Sequence, residues 1–257
     1  MREGLEARVP RLSAIVITKN EAGNIGDCLE SLAFCDERIV VDSGSSDQTL
    51  IIAKQKGARV AAHSWKGFGP QKNYALSLAQ GDWVLSVDAD ERVTGELAQA
   101  IRAAIATDTA DGYAFPRRST FCGREMRHSG WFPDRVLRLF RREKARFSND
   151  AVHERVILDG KVARIKTPLL HYPVGRLEDA IRRMDSYSTL GAERMVAAGK
   201  PVSFFSGIAH GSFAFLQTYV LRLGFLDGAA GFLLAVANAE GTYYRYMKAW
   251  LARQRRE

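Results

Sequence analysis

An α/β protein with a largely parallel sheet is the fold class this sequence predicts, and three observations predict it. Short apolar runs alternate with helix-period segments through the first ninety residues, and three of the runs end in polar turns. The fourth run, Trp83 to Val87, ends abruptly in Asp88, Ala89, Asp90 and Glu91. A buried strand does not tolerate such charges. Its carboxyl-terminal tip, where ligands sit in open α/β sheets, can use them to hold a divalent cation.

The elements follow in order. Leu12 to Thr18 is rich in branched residues and reads as a strand, and Ile25, Cys28, Leu29 and Leu32 fall at helical spacing after it. Arg38 to Val41 is a second strand, stopped by the polar turn Asp42 to Asp47, which caps a helix over Gln48 to Lys56. Ala58 to Ala62 is a third strand, and Pro70 opens a helix ended by Gly81. Beyond the acidic turn, Thr94 caps a helix toward Thr107. Shorter strands are expected at Gly112 to Arg117, Arg135 to Phe140, Val152 to Leu158 and Val162 to Ile165, the last two joined at Asp159-Gly160 as a hairpin. Leu177, Ile181, Met184 and Leu190 mark one long helix that Gly199 and Pro201 stop.

At 257 residues the chain can bury one sizeable core, and 46% hydrophobic with 26% charged residues is a globular balance. The expected division is one domain over 1–175, in two halves 1–100 and 101–175, and a helical region over 176–257. The net charge of +8 gathers at Arg117-Arg118, Arg135 to Lys144, Arg182-Arg183 and the tail Arg253 to Arg256, which suits phosphates or an anionic lipid surface. Nucleic acid is disfavoured, because Asp42, Asp47, Asp88, Asp90 and Glu91 at the expected cleft would repel a polyanion. Three cysteines without a CxxC pair argue against a disulfide framework or a zinc site and suit a cytoplasmic setting. No apolar stretch precedes Pro10, so no signal peptide or anchor is expected at the amino terminus.

The carboxyl-terminal region is unusual. Pro201 to Leu221 and Gly228 to Ala239 hold no Asp, Glu, Lys or Arg. Ser203, Ser206, His210, Ser212, Gln217 and Thr218 dilute the first run and the second is short, so helices lying in the membrane plane or partly inserted fit better than a span of roughly 20 apolar residues, with an ordinary helical subdomain or an oligomer interface as the alternative. Tyr243, Tyr244, Tyr246 and Trp250 beside Arg245, Lys248 and the basic tail fit an interfacial location, on the inner face of the cytoplasmic membrane.

Thr18 to Glu21, Asp42 to Asp47 and Asp88 to Glu91 all follow strands, so a parallel sheet gathers them on one edge. No G-x-G-x-x-G follows the first strand and no P-loop motif occurs, so a nucleotide diphosphate must be held otherwise. A cation on Asp88 and Asp90 with basic side chains would do so. The motifs Ala14 to Glu21, Val40 to Thr49, Gln71 to Leu76 and Val87 to Glu91 resemble, in order and spacing, those of family 2 glycosyltransferases. Trp131 to Phe140, Val152-His153-Glu154 and Gly224 to Gly228 resemble the branch that adds sugars to the lipopolysaccharide inner core.

The resemblance implies a GT-A fold and inverting transfer, with Mg²⁺ or Mn²⁺, from a nucleotide sugar, usually UDP-linked, to a lipopolysaccharide-core or lipid-linked acceptor. It implies that Thr18, Asn20 and Glu21 line the nucleoside pocket, that Asp42 hydrogen-bonds the base, that Ser43 belongs to the same nucleotide-sugar site, and that Lys72 lies near the donor. It also implies that Asp88 sits near ribose or metal and that Asp90 binds the metal. His153 is a candidate ligand and Arg135 and Arg138 are candidate phosphate grips, against salt bridges to the acidic cleft. Glu91 is expected to steady the loop.

An inverting displacement needs a base for the acceptor hydroxyl. Glu154 is the first candidate and Asp134 the second. In strict strand alternation Glu154 shares the face of Val152 and Val156, which would bury it as a base or as an ion-pair partner. His63, His128, His171 and His210 show no partner pattern. The alternatives are a polyprenyl-phosphate acceptor and a membrane-associated binding protein without catalysis.

Overall fold

The computed structural model describes residues 10–149 and 154–254. By its internal contacts the chain divides into two compact units, Met1–Arg117 with Arg135–His171, and Arg118–Asp134 with Tyr172–Glu257.

The first unit is built on β1 (Leu12–Thr18), β2 (Glu37–Asp42), β3 (Arg59–Ala62) and β4 (Trp83–Ser86), which lie parallel in the order β3-β2-β1-β4. Alternation along β1 sends Ala14 and Val16 to one face and Ile15 to the other. The first face buries Ile25 and Leu29 of α1 (Ile25–Ser31) and Leu97 and Ile101 of α4 (Gly95–Thr107). The second buries Ala75 and Leu76 of α3 (Phe68–Leu78). The Thr94 hydroxyl accepts from the Leu97 amide and caps α4 as its sequence predicts. Helix α2 (Thr49–Gln55) follows the Asp42 turn. Pro70 sits in the first turn of α3, where its missing N–H costs no hydrogen bond, so the helix starts two residues earlier than expected.

The sheet then turns mixed. β8 (Asp134–Arg141) pairs antiparallel with β4, Val84 opposite Phe140, and the order continues through β6 (Gly112–Phe121) and β12 (Leu169–Val174) to β5 (Glu91–Arg92). Register places His171 opposite Glu91.

The hairpin expected at Asp159-Gly160 does not form. β10 (Val156–Leu158) pairs with β9 (Ala145–Phe147), and β11 (Val162–Arg164) leaves to run parallel to β6. The reason is Asp111: its carboxylate accepts from the Lys161 amide at 2.9 Å, and the Lys161 carbonyl accepts from the Asp111 and Gly112 amides. The turn is therefore tied to β6 instead of closing on itself. Gly160, at φ 148°, leaves room for that carboxylate, which would lie 2.3 Å from a Cβ.

The second unit holds the ends of β6 and β12, the short β7 (Arg124–Glu125), and the helices α5 (Leu177–Ala197), α6 (Phe204–Leu216) and α7 (Gly228–Gln254). Phe121, Met126, Val174, Ala180, Ala230 and Leu234 form its core. A π turn over Gln217–Leu221 and a 3-10 turn over Gly224–Asp227 link α6 to α7. Asp227 explains why residues 118–134 group here. Its carboxylate accepts from the Arg127 and His128 amides and the Ser129 hydroxyl at 2.9–3.1 Å. Helix α5 ends before Gly199, at φ 65°, but Leu177, Ile181 and Leu190 of its apolar stripe point outward. Among the described residues no single helix is long and apolar enough to cross a membrane. By length and composition only the pair Phe204–Leu221 and Gly224–Gln254, bent by 70°, passes such a test.

Candidate active site

The parallel register sets Thr18 against Asp42, so the first two polar turns meet at one sheet edge. There the backbone is bound from both sides. Ser43 donates to the Thr18 carbonyl through its amide and its hydroxyl, the Asn20 amide donates to the Ser45 hydroxyl, and the Ser46 amide donates to the Asn20 side chain at 2.8 Å. Asn20 adopts φ 56°, a conformation Asn tolerates better than most residues. Glu21 takes the Asn24 side-chain amide and gives its own N–H to Thr49. Asp42 is 2% exposed, and its carboxylate accepts from the Gly44 and Ser45 amides and the Ser45 hydroxyl. It therefore shapes the turn, and any base it met would contact a carboxylate already bonded three times. Thr18 presents the opposite case: its hydroxyl is buried and has no hydrogen-bond partner among the described residues, at the edge where a ligand would supply one.

The acidic turn is a network of charges. Glu91 is fully buried. One oxygen accepts from the Asp88 amide at 2.9 Å, and the other meets Arg138 at 2.7 Å and Arg117 at 3.5 Å. Glu91 thus closes the Asp88–Glu91 turn and steadies it. The Asp88 carboxylate lies between Arg138 on one oxygen and Lys72, at 2.9 Å, on the other. Burial alone would raise its pKa, but the Arg138 guanidinium and then the Lys72 ammonium outweigh that and hold it far below the usual carboxylate range. Arg138 is pulled down by burial and pushed higher by Asp88 and Glu91, so it is permanently charged. Of the two roles weighed for Arg138, the observed contacts are the salt bridges. Arg135 is exposed on the same strand.

Lys72, 3% exposed, also binds Glu154 at 2.7 Å. Its ammonium faces two carboxylates from distant parts of the chain. Glu154 precedes β10 in an irregular segment, so the alternation argument for its orientation does not apply. His153 lies outside the described residues. Asp134 opens β8 and groups with the second unit.

Asp90 has a neighbour that sequence spacing missed. His171 Nε2 stands 3.7 Å from Asp90 Oδ2, with each side chain about one-sixth exposed (15% and 16%). Eighty-one positions separate the two, and only the pairing of β12 with β5 joins them. Among the described residues no group of three or more His, Cys, Asp or Glu is placed to hold a metal. The Asp90 carboxylate nonetheless suits Mg²⁺ or Mn²⁺, which take one or two protein carboxylates and complete their shell with phosphate oxygens and water, and the softer His171 imidazole suits Mn²⁺ better than Mg²⁺. Asp88 is less suited, since a metal would compete there with two cations.

The glycosyl transferase family 2 model matches residues 13–157. A lipopolysaccharide core biosynthesis glycosyltransferase of Rhizobium meliloti, LpsC, is 32% identical over 241 residues, 89% of this chain and 87% of that protein. An uncharacterized glycosyltransferase of Rickettsia felis is 31% identical over 251 residues, 93% and 89% of the two chains. The crystal structure of Staphylococcus aureus TarS 1-349 in complex with UDP-GlcNAc is 18% identical, with a TM-score of 0.49 over 95% of this chain and 92% of that one. Four motifs in order on a GT-A sheet, a family match across more than half the chain and relatives over nearly all of it lead to one conclusion: the chain is a glycosyltransferase of family 2.

Proposed function

We propose that the protein transfers a hexose, glucose in the first instance, from a UDP-sugar to a lipopolysaccharide-core or other lipid-linked acceptor with inversion at the anomeric carbon, using Mg²⁺ or Mn²⁺. The observation that carries this reading is the Asp90–His171 pair next to the Asp88 ion-pair cluster, at the end of the strands whose other turns leave the buried Thr18 hydroxyl without a partner among the described residues. The relative named for lipopolysaccharide core biosynthesis supports the acceptor class.

Asp90 and His171 would hold the cation, which when bound stabilises negative charge on the departing diphosphate. Glu91, Arg138 and Lys72 fix the Asp88 turn, so that Asp90 is presented without reorganisation. Thr18 and the Asn20–Glu21 backbone line the nucleoside side. Glu154 takes the acceptor hydroxyl proton on the face opposite the leaving group, and Lys72 holds its carboxylate in place.

Purified protein with UDP-glucose, a lipopolysaccharide-core acceptor and Mg²⁺ or Mn²⁺ should turn over. Asp90→Ala should reduce kcat/KM at least about a hundredfold, the scale of losing one electrostatic stabiliser of the leaving group. Undiminished activity in that variant would sink the metal assignment.

A further inference from the structure

Helix α6 faces the wrong way for a protein surrounded by water. The residues it turns toward α7 are small: Gly207, where a Cβ would meet the Met247 side chain at 2.3 Å, and Gly211, where it would meet Tyr243 at 3.1 Å. Those it turns outward are large and apolar. Phe205 is 76% exposed, Phe213 53%, Ile208 and Leu216 are each close to half exposed, and so is Val220 in the π turn that continues the helix. They recur at three- to five-residue steps and so form one stripe, about 22 Å long at 1.5 Å per residue. Leu221, 62% exposed, extends it into the turn toward α7.

The charges around the stripe choose its partner. From Pro201 to Ala239 the sequence contains one acid and one base. The acid, Asp227, is turned inward onto the 127–129 loop and its side chain is 4% exposed, so it contributes nothing to the outer surface. The base, Arg222, is exposed at one end of the stripe, and Lys200 is exposed just before the other. A second copy laid on this stripe in either direction would bring cation to cation at its ends, where the exposed charges of the stripe lie. An anionic bilayer offers acyl chains to the stripe and phosphates to its ends. His210, stacked on Tyr246 at 4.4 Å, and the Tyr and Trp residues of α7 add amphipathic rings suited to the headgroup level.

We infer that the outward face of α6, continued through Leu221, is an in-plane docking surface for an anionic lipid bilayer, lying in the interface rather than crossing it. The lipid-linked acceptor proposed above gives this surface its purpose, and the exposed apolar stripe with its cationic ends stands without it.

The full chain is tested by flotation with phosphatidylethanolamine vesicles containing about 30% phosphatidylglycerol, and with phosphatidylcholine vesicles as the neutral reference. Wild-type protein should float with the anionic vesicles, and more weakly as salt is added. Ile208→Glu combined with Phe213→Glu should reduce partitioning about tenfold or more, and Phe205→Ser, at the most exposed position, several-fold. Because these side chains point outward, circular dichroism and thermal midpoint should not change. Wild-type protein that stays unbound, or variants that float as well as wild type, would overturn the inference. So would a wild-type dimer that the double variant dissociates, since the stripe would then be an interface between copies. Donor and acceptor are absent from this assay, so failure of sugar transfer would leave its result standing, and loss of flotation would leave the transfer reading untouched.

Discussion

Replacing Glu91 by Gln tests whether the buried charge network, rather than apolar packing alone, sets the acidic turn. Three cations, Lys72, Arg117 and Arg138, face three carboxylates, Asp88, Glu91 and Glu154. Gln keeps the shape of the side chain but has one acceptor oxygen where Glu91 uses two. Either the Asp88 amide or Arg138 would then face an N–H group, and the cluster would carry an unbalanced positive charge. One hydrogen bond to a charged group is worth about 1.5–3 kcal/mol, and breaking a buried ion pair from one side costs about 3–5 kcal/mol. The variant should therefore lose about 4 kcal/mol. For a chain of this size that lowers the melting midpoint by roughly 10 °C. Denaturant unfolding with an unchanged slope reads the loss directly. Lys56→Gln, which breaks an ion pair to Glu30 with side chains 40% and 70% exposed, is the control and should leave the midpoint where it was. If Glu91→Gln behaves like that control, the network carries no stability and the account of the turn is wrong.

Glu154→Gln separates its two roles. As the base, its loss should lower kcat by about 10²–10⁴ with KM little changed, whereas a purely structural partner of Lys72 would shift the unfolding midpoint and leave kcat of the folded fraction intact. Gly69→Ala places a Cβ 1.9 Å from the Ser148 carbonyl oxygen, so α3 must move away, at a cost of about 3 kcal/mol measured by urea unfolding. The pH dependence follows from Asp88. Its folded pKa is depressed, so its contribution is present above its unfolded value of about 3.9 and is lost as pH falls toward the folded value. The stability gap between wild type and Asp88→Asn should accordingly narrow below about pH 4, and a gap independent of pH would show that the ion pairs do not stabilise the fold.

The parallel half of the sheet was legible in the sequence because its signals are local. Branched residues at period two, the Thr94 cap and the acidic stop after β4 each act within a few residues, and β1, β2 and α4 lie where those signals put them. The four motifs in order carried the family for the same reason. Only the tertiary structure decided what depends on lateral pairing and burial. Asp159-Gly160 carried a hairpin signal, and Asp111, about fifty residues earlier, overrode it. His171 reached Asp90 through strand register, and Lys72 reached Glu154 across 82 positions, distances over which composition and spacing carry no information. The apolar run after Pro201 announced itself in the sequence, but its direction did not. A helical period shows that a face exists, and only packing shows which side the glycines take and which the phenylalanines keep.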